Sequence, residues 1–289
     1  MTRAPRLLVV EGNTQKARAK QIEFMGRTYS EGYSEVLRSV APDAVIDVCF
    51  PGDEGANIPD ASGLDGYDGV AITGSALNIY KAEPESMRQV ELARAVFEAG
   101  VPMFGSCWGL QVATVAAGGT VVKSENGREI GLARKITLTD EGRDHPLFAG
   151  KGASWDAPAV HTDEVGEKPA GMTVLATNAH SPVQAAEIRH GKGTFWGVQY
   201  HPEFSLHEIA AVFERYGQVL VDEGPFRDLA GLKAHVADLR ALQDDLSRKD
   251  LAWRLAYDCD VLDPARRVIE IRNFIDNLVL PNISARGRG

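Results

Sequence analysis

The amino-acid sequence predicts an open α/β fold, in which a mostly parallel sheet carries helices on both faces and a helical C-terminal extension follows. Two observations predict this class. Continuous apolar runs, rather than strict alternation, recur over about the first 200 residues, and such runs are typical of strands that are buried on both faces. Segments with helical spacing separate the runs, which gives the βαβ rhythm of a parallel sheet with right-handed crossovers.

The predicted parallel strands are four short apolar runs in the first half of the chain. They are RLLVVEG (6–12), AVIDVCFP (44–51), YDGVAITGS (67–75) and VPMFGSC (101–107). The clearest helix precedes the last of them and spans 83–100, because this segment is acidic at its start, apolar at helical spacing and closed by a glycine.

A different rhythm begins at about residue 119, where shorter strand-like runs are joined by turns up to residue 204. We expect these runs to extend the sheet in an antiparallel manner. Residues 205–222 then return to helical spacing, so this part of the chain ends in a helix.

The composition changes after Gly224 and Pro225, and residues 226–280 have helical spacing almost throughout. We therefore predict two domains, a main α/β domain over 1–224 and a helical C-terminal extension over 225–289. The extension contains no catalytic constellation, so we expect it to pack on the main domain or on another subunit. Its apolar positions are the basis for a predicted homo-oligomer through these helices.

Composition and charge argue against several classes of partner. The formal net charge is −9, from 31 basic and 40 acidic residues, whereas proteins that bind nucleic acid usually carry a basic excess. No apolar run approaches the roughly 20 residues that span a bilayer, and the first apolar run is too short for a signal peptide. The three cysteines lie far apart with no CxxC pair, which is typical of a reduced, cytoplasmic protein. We therefore expect no nucleic acid, membrane, metal or cofactor.

The stretch FGSCWGLQ (104–111) leaves three interpretations open for Cys107: a buried small residue, a redox or metal-binding thiol, or a nucleophile. Gly105 and Gly109 flank it at a predicted strand-to-helix junction, and a side chain on such a sharp turn needs neighbours without Cβ atoms. The N-terminus of the following helix favours a thiolate. The carboxyl edge of an open sheet is also where ligands bind, so these features favour the nucleophile.

A thiolate nucleophile needs a base and a group that orients the base. The sequence YHPEF (200–204) supplies His201 and Glu203 directly after a predicted strand. With one residue between them the two side chains can face the same way, and Pro202 prevents the strand from continuing. Alone, this pair fits a structural histidine and a solvated carboxylate equally well. Together with G-x-C-x-G it predicts a triad of Cys107, His201 and Glu203.

GSCWGLQ (105–111) and YHPEF (200–204), in this order and spacing, resemble the class I glutamine amidotransferase (glutaminase) family. The resemblance covers about residues 6–222. Within the family, the chain resembles stand-alone members that are similar to the amidotransferase domain of GMP synthetase. It implies a flavodoxin-like sheet and an attack of Cys107 on a γ-glutamyl side-chain amide. The histidine of YHPEF would carry the proton to the leaving amine, its glutamate would hold the imidazole, and water would cleave the γ-glutamyl thioester.

The same resemblance implies an oxyanion hole made of two backbone amides. One belongs to Trp108, which follows the nucleophile, and the other comes from the loop ITGSALNIY (72–80). The alignment places the second donor at Ser75, with Gly74 as the alternative register. Many family members carry a proline where this chain has Ala76, so the sequence leaves the orientation of that peptide open.

Three further positions match the family's substrate contacts. Gln111, the last residue of GSCWGLQ, matches a residue that contacts the glutamine ligand. VHTDEV (160–165) matches a loop whose backbone holds the α-amino and carboxylate groups, which implicates Val160 and His161. A turn-stabilising histidine is the alternative for His161. GREIG (127–131) matches a segment that shapes the wall of the pocket.

No synthase motif such as a P-loop occurs in the chain, so we predict hydrolysis of a small-molecule γ-glutamyl amide, either glutamine or an N-substituted amide. The connection 13–37 is long for a βα loop, and long connections are often functional. It would lie over the carboxyl edge, where Tyr29 and Tyr33 would line a larger pocket as a specificity loop. The alternative is a short surface helix over 15–24.

Other functions remain open from the sequence. A glutaminase subunit could deliver ammonia to a separate synthase partner. A non-catalytic regulatory subunit is less well supported, because the triad is complete. A cysteine peptidase-like hydrolase would have no need for Gln111 or for the VHTDEV loop.

Overall fold

Within residues 3–287, which the computed structural model describes, the chain forms a nine-stranded sheet and a separate two-stranded sheet. The strands are β1 Arg6–Val10, β2 Val45–Cys49, β3 Gly69–Ile72, β4 Met103–Ser106, β5 Val121–Lys123, β6 Glu129–Leu138, β7 Ser154–His161, β8 Asp163–Val165, β9 Met172–Thr177, β10 Ala185–His190 and β11 Gly193–Val198. The helices are α1 Gln15–Met25, α2 Tyr29–Val40, α3 Ala61–Leu64, α4 Pro84–Ala99, α5 Trp108–Ala116, α6 Asp140–Arg143, α7 Leu206–Asp222, α8 Leu229–Asp244, α9 Lys249–Leu255, α10 Cys259–Leu262, α11 Pro264–Arg267, α12 Ile269–Phe274 and α13 Leu280–Ala285, with a π turn at Ile275–Val279 before α13.

The large sheet has the strand order β2-β1-β3-β4-β11-β10-β9-β6-β7. Its first five strands pair in parallel and the remaining pairs are antiparallel. Strands β5 and β8 form the small antiparallel sheet. The predicted open, mostly parallel sheet with helices on both faces and a helical C-terminal end is confirmed.

Strand β11 differs from the sequence-based expectation. The runs after residue 119 were expected to continue the sheet in an antiparallel manner, and β11 does pair antiparallel with β10. On its other side, however, it pairs in parallel with β4, with Val198 opposite Ser106. The chain therefore returns from the edge to the centre of the sheet, and β4 and β11 end at the same edge.

The segment 13–37 was expected to be a long loop over this edge, and that expectation is wrong. It forms two helices, of which α1 corresponds to the alternative of a short surface helix over 15–24, and α2 was not expected. Thr14 caps α1, and Gly26, with φ 73°, ends it in the left-handed conformation that favours glycine. Thr28 then begins α2 with a complete capping box that includes Glu31.

Two apolar layers cover the faces of the sheet. Leu8 and Val10 of β1 belong to the layer that packs under α4 and α5, whereas Leu7 and Val9 face the layer formed by α2 and the C-terminal helices. Phe274 of α12 lies in this second layer. The C-terminal helices therefore pack on the main domain, while the boundary near residue 224 stays a prediction. No helix of the described chain is long and apolar enough to cross a membrane.

Close packing at the junction of β4 and α5 explains the two glycines beside Cys107. A Cβ atom on Gly105 would lie 2.8 Å from Cα of Gly109, and one on Gly109 would lie 2.7 Å from the carbonyl oxygen of Ile72. Both obstacles are backbone atoms, which cannot turn away as a flexible side chain can. The helix that follows the cysteine can approach β3 and β4 this closely only because both positions lack side chains.

We expect Gly109→Ala to lower the free energy of unfolding by about 1–3 kcal/mol, because overpacking against backbone forces the helix to shift. Urea denaturation of the wild type and the variant measures this difference. Gly231→Ala in α8 is the matched control, since its added Cβ would meet only Asp228 Oδ1 at 3.5 Å. Equal stabilities of Gly109→Ala and Gly231→Ala would contradict the packing argument.

Candidate active site

Cys107 lies on a strained turn between β4 and α5. Its backbone has φ 51° and ψ −97°, a conformation that costs a non-glycine residue about 1–3 kcal/mol and that persists only where the surrounding structure imposes it. The Cys107 amide donates a hydrogen bond to Val198 O at the end of β11, at 2.8 Å. The turn is therefore fixed to the strand that leads to the predicted base.

His201 and Glu203 lie in direct contact. Nδ1 of His201 is 2.6 Å from Oε1 of Glu203, and both residues are buried. The His201 amide donates to Pro158 O at 2.7 Å, and the Phe204 ring stacks on the imidazole with a centroid separation of 4.1 Å. The turn after β11 thus holds the imidazole from several sides.

A chain of hydroxyl groups supports the far oxygen of Glu203. Ser106 Oγ donates to Glu203 Oε2 at 2.9 Å. Because a serine hydroxyl has one proton, the Tyr33 hydroxyl, 3.0 Å away, must be the donor to Ser106. Tyr33 is fully buried in α2 and is not among the residues that line the cavity beside Cys107, and its part in specificity stays a prediction. Burial and the nearby Glu203 charge raise the pKa of Tyr33, which keeps it a donor.

The electrostatics of the buried pair favour a protonated His201. Burial by itself disfavours the charged imidazolium, but the negative charge of Glu203 and the contact with Cys107 outweigh it and raise the pKa of His201 to about 10. The buried Nε2 of His201 makes no hydrogen bond within residues 3–287. The Cys107 thiol lies 3.7 Å from Val160 O, as a donor to it. An imidazolium beside a cysteine sulfur can stabilise a thiolate and give a proton to a leaving group.

A small, polar cavity opens at Cys107. Its lining includes Ser75, Asn78, Cys107, Gln111, Val160, His161, Asp163 and Tyr216. The predicted substrate contacts Gln111, Val160 and His161 are therefore brought to one space with the cysteine. Their roles in binding stay predictions.

The ring of His161 is already engaged on both sides. Its Nε2 is 2.8 Å from Glu129 Oε2, and its Nδ1 is 3.1 Å from Asp163 O. Burial opposes ionisation of Glu129, yet hydrogen bonds from His161, Asn178 and Gln184 lower its pKa. The His161 ring thus supports the cavity wall, in keeping with the turn-stabilising alternative.

The backbone amides predicted for the oxyanion hole are free. Among residues 3–287, the amides of Gly74, Ser75 and Trp108 donate no hydrogen bond. Gly74 is packed against the predicted base, since a Cβ there would lie 2.7 Å from Cε1 of His201. The loop after β3 therefore reaches the same place as the loop after β4. The assignment of these amides to an oxyanion stays a prediction.

Tyr29 begins α2 beside the imidazole. Its ring centroid is 6.4 Å from that of His201 and 5.6 Å from that of Phe204. The Tyr29 hydroxyl makes no hydrogen bond to the rest of the described chain. Its predicted part in specificity is compatible with this position and stays a prediction.

Sequence reasoning missed Ser106 and Asp163. Ser106 occupies the middle of the GSC motif, where its position before the nucleophile was the only available signal. Asp163 stands in VHTDEV and looks like a solvated loop charge, but it is buried in the cavity wall and accepts a hydrogen bond from Asn78 Nδ2 at 2.7 Å. Within the described residues, no group of three or more His, Cys, Asp or Glu could hold a metal.

Comparison with known proteins identifies relatives along most of the chain. A family model described as glutamine amidotransferase class-I matches residues 48–215. A γ-glutamyl-L-1-hydroxyisopropylamide hydrolase from a Pseudomonas species is 36% identical over 283 residues, which cover 96% of this chain and 94% of the relative. The glutamine-hydrolysing GMP synthase of Wolinella succinogenes is 33% identical over 145 residues, which cover 50% of this chain and 26% of the relative.

Solved structures share the fold. A glutamine amidotransferase from Thermotoga maritima superposes with a TM-score of 0.63 at 16% sequence identity, over 95% of this chain and 98% of that protein. A glutamine amidotransferase from Methylobacillus flagellatus gives a TM-score of 0.62 at 15% identity, over 93% of this chain and 94% of that protein. At these identities the likeness supports the fold alone.

The raised pKa of His201 predicts a pH dependence of stability. A histidine whose folded pKa is raised contributes stability that is complete below its unfolded pKa of about 6.5 and is lost as the pH rises through about 10. Removing the Glu203 charge with Glu203→Gln should remove most of this contribution. We expect the free energy of unfolding to fall with pH more steeply in the wild type than in the variant.

Urea denaturation at a series of pH values across this window measures the two slopes. Glu125→Gln, at an exposed position, is the matched control and should keep the wild-type slope. Parallel curves for the wild type and Glu203→Gln would show that Glu203 does not hold His201 protonated.

Proposed function

The chain belongs to the class-I glutamine amidotransferase family and is an amidohydrolase, and from this premise we propose that it hydrolyses a γ-glutamyl amide through a thioester on Cys107. The observation that carries the proposal is the buried contact of His201 with Glu203 beside Cys107 at the mouth of a polar cavity. The Pseudomonas hydrolase, which matches almost the whole chain, supports an N-substituted γ-glutamyl amide as the substrate class. Glutamine is the unsubstituted case.

In the proposed first half-reaction, the Cys107 thiolate attacks the γ-carbonyl carbon and forms a C–S bond. The carbonyl oxygen becomes an oxyanion, which the amides of Trp108 and Ser75 would bind. Protonated His201 gives its Nε2 proton to the amide nitrogen, the C–N bond breaks, and the free amine leaves. The raised pKa of His201 supports this part, because the imidazolium is available at neutral pH.

In the proposed second half-reaction, water attacks the thioester carbonyl while neutral His201 takes the proton from it. The C–S bond breaks, glutamate leaves, and the thiolate returns beside the imidazolium. Glu203 stays ionised and holds the ring through both steps. Its second oxygen is occupied by Ser106, which keeps the carboxylate from turning away from His201.

Asp163 is the group we propose for binding the α-ammonium of the γ-glutamyl moiety. Its carboxylate is buried in the cavity wall and accepts hydrogen bonds from neutral groups, Asn78 at 2.7 Å and Tyr80 at 3.4 Å. No lysine or arginine of the described chain pairs with it in an ion pair. A substrate ammonium would supply the missing positive charge.

Tyr29 supports an N-substituted amine as the leaving group. A substituent on the nitrogen that His201 protonates would lie on the His201 side of the scissile bond, where the Tyr29 ring packs near His201 and Phe204. Its unpaired hydroxyl offers a hydrogen bond to a hydroxyalkyl group. Delivery of ammonia to a synthase partner stays a prediction, since the GMP synthase match spans only 26% of that relative.

We expect Cys107→Ala to abolish release of amine from γ-glutamyl alkylamides and of ammonia from glutamine. Chromatography of the released amine and an ammonia assay measure the two reactions, and mass spectrometry of the rapidly quenched wild type should reveal a glutamyl adduct on Cys107. Cys259→Ala, at an exposed cysteine of the C-terminal helices, is the matched control and should stay active. Turnover by Cys107→Ala would exclude the cysteine as the nucleophile.

We expect Asp163→Asn to raise KM for γ-glutamyl amides about 10- to 100-fold, because a hydrogen bond between charged groups contributes about 1.5–3 kcal/mol. Steady-state kinetics measure the change. The corresponding amide of glutaric acid, which lacks the α-amino group, should be a poor substrate that the wild type and the variant hydrolyse equally. A loss of the same size on both substrates would place Asp163 outside the ammonium site.

A further inference from the structure

We propose that Gln89 and Asn13, two buried polar residues outside the cavity, are positioning residues that align the amides of Trp108 and Ser75 as one oxyanion hole. The inference rests on the proposed function, because it concerns how the same site holds its oxyanion. The two amides come from different loops, one after β4 and one after β3. A shared carbonyl oxygen, that of Gly12, connects the two loops.

Gln89 of α4 makes the connection on the Trp108 side. The indole Nε1 of Trp108 donates to Gln89 Oε1 at 2.7 Å, and Gln89 Nε2 donates to Gly12 O at 3.0 Å. Gln89 and Trp108 are each only 1% exposed. Because these groups are withheld from water, breaking the hydrogen bond between Trp108 and Gln89 leaves the buried indole N–H without a partner. The first turn of α5 is therefore tied to Gly12.

Asn13 and the Ser75 hydroxyl make the connection on the other side. Ser75 Oγ donates to the same oxygen, Gly12 O, at 2.8 Å. The amide of Ala76 donates to Asn13 Oδ1 at 3.0 Å, and Asn13 Nδ2 donates to Gln21 Oε1 at 3.0 Å. Asn13 is fully buried. The loop after β3 is thus held through the side chain of Ser75 and through the backbone amide of Ala76.

Gly12 allows the two loops to meet. A Cβ atom at this position would lie 2.6 Å from Gly74 O and 2.8 Å from Cδ1 of Trp108. Both distances are shorter than real Cβ contacts. The absence of a side chain at Gly12 therefore lets both loops pack against it, while its carbonyl accepts hydrogen bonds from Ser75 and Gln89.

The orientation of the Gly74–Ser75 peptide favours one of the two candidate amides as the second oxyanion donor. Gly74 O faces Gly12 and accepts a hydrogen bond from Thr73 Oγ1 at 3.0 Å. In a trans peptide the carbonyl and the N–H of the same unit point in opposite directions, so the Ser75 N–H points away from Gly12. Ser75 and Cys107 line the same cavity, and this geometry favours Ser75 over Gly74 as the second oxyanion donor.

Asn13 fixes the backbone next to Ser75. It binds the N–H of Ala76, and the Ser75 hydroxyl binds Gly12 O, so two hydrogen bonds hold this part of the loop.

Kinetics of γ-glutamyl amide hydrolysis test the proposal. We expect Asn13→Leu and Gln89→Leu to lower kcat about 10- to 100-fold with KM within about two-fold of the wild type, because a misplaced donor acts on the transition state. Ser75→Ala should lose activity, although its backbone amide is still present, and Ser75→Thr, which keeps the hydroxyl, should retain most of it. The matched control is Asn273→Leu, which removes an asparagine of α12 whose Nδ2 donates to the backbone carbonyls of Leu147 and Ala149 at 2.8 and 3.0 Å.

Amide hydrogen exchange provides a measurement that does not depend on activity. The Ala76 amide should exchange slowly in the wild type and much faster in Asn13→Leu, while Asn273→Leu leaves its rate unchanged. Unchanged kcat in Asn13→Leu and Gln89→Leu, or a general loss that includes Asn273→Leu, would overturn the inference but not the proposed function. Lack of any turnover by the wild type would overturn the proposed function. In that case the exchange rate of the Ala76 amide in the wild type and in Asn13→Leu would still test whether Asn13 holds this loop.

Discussion

The parallel pairing of β4 with β11 is the interaction on which the rest of the site depends. Parallel strands end at the same edge of a sheet, so the pairing of Ser106 with Val198 brings together the residues that follow each strand. Cys107 comes next after β4, and His201 lies three positions beyond β11. The hydrogen bond from the Cys107 amide to Val198 O fixes the strained turn to this pairing. A shift of either strand would move the proposed nucleophile away from the proposed base.

Burial of charge imposes a second requirement on the same region. An ionised carboxylate withdrawn from water needs partners on both oxygens, and Glu203 has them in His201 and Ser106. Ser106 in turn needs a donor, which is the hydroxyl of Tyr33. Tyr33, which was expected in a loop near the substrate, thus belongs to the core. It lies there because α1 and α2 form in place of the expected loop.

Local motifs could be predicted from the sequence, and pairings between distant segments could not. G-x-C-x-G and YHPEF each specify a sharp backbone turn and a reactive side chain, so the proximity of Cys107 and His201 followed once both were placed at strand ends. The direction of β11 relative to β4 has no local signal, because an apolar run reads the same in either direction. Gln89 likewise looks like any polar residue of an amphipathic helix. Its role depends on a carbonyl contributed by a segment 77 residues away in sequence.

The C-terminal helices are joined to the same edge by a buried polar cluster. The Tyr200 hydroxyl donates to Glu270 of α12 at 2.6 Å, and Lys151 pairs with the same carboxylate at 2.8 Å. Removing one partner of a buried ion pair typically costs about 3–5 kcal/mol, so this cluster resists separation of the helices from the sheet. Tyr200 directly precedes His201, and the extension therefore supports the backbone that carries the proposed base. The similarity to the Pseudomonas hydrolase, which runs through 96% of this chain, includes these helices, as expected for a structural part of the catalytic unit.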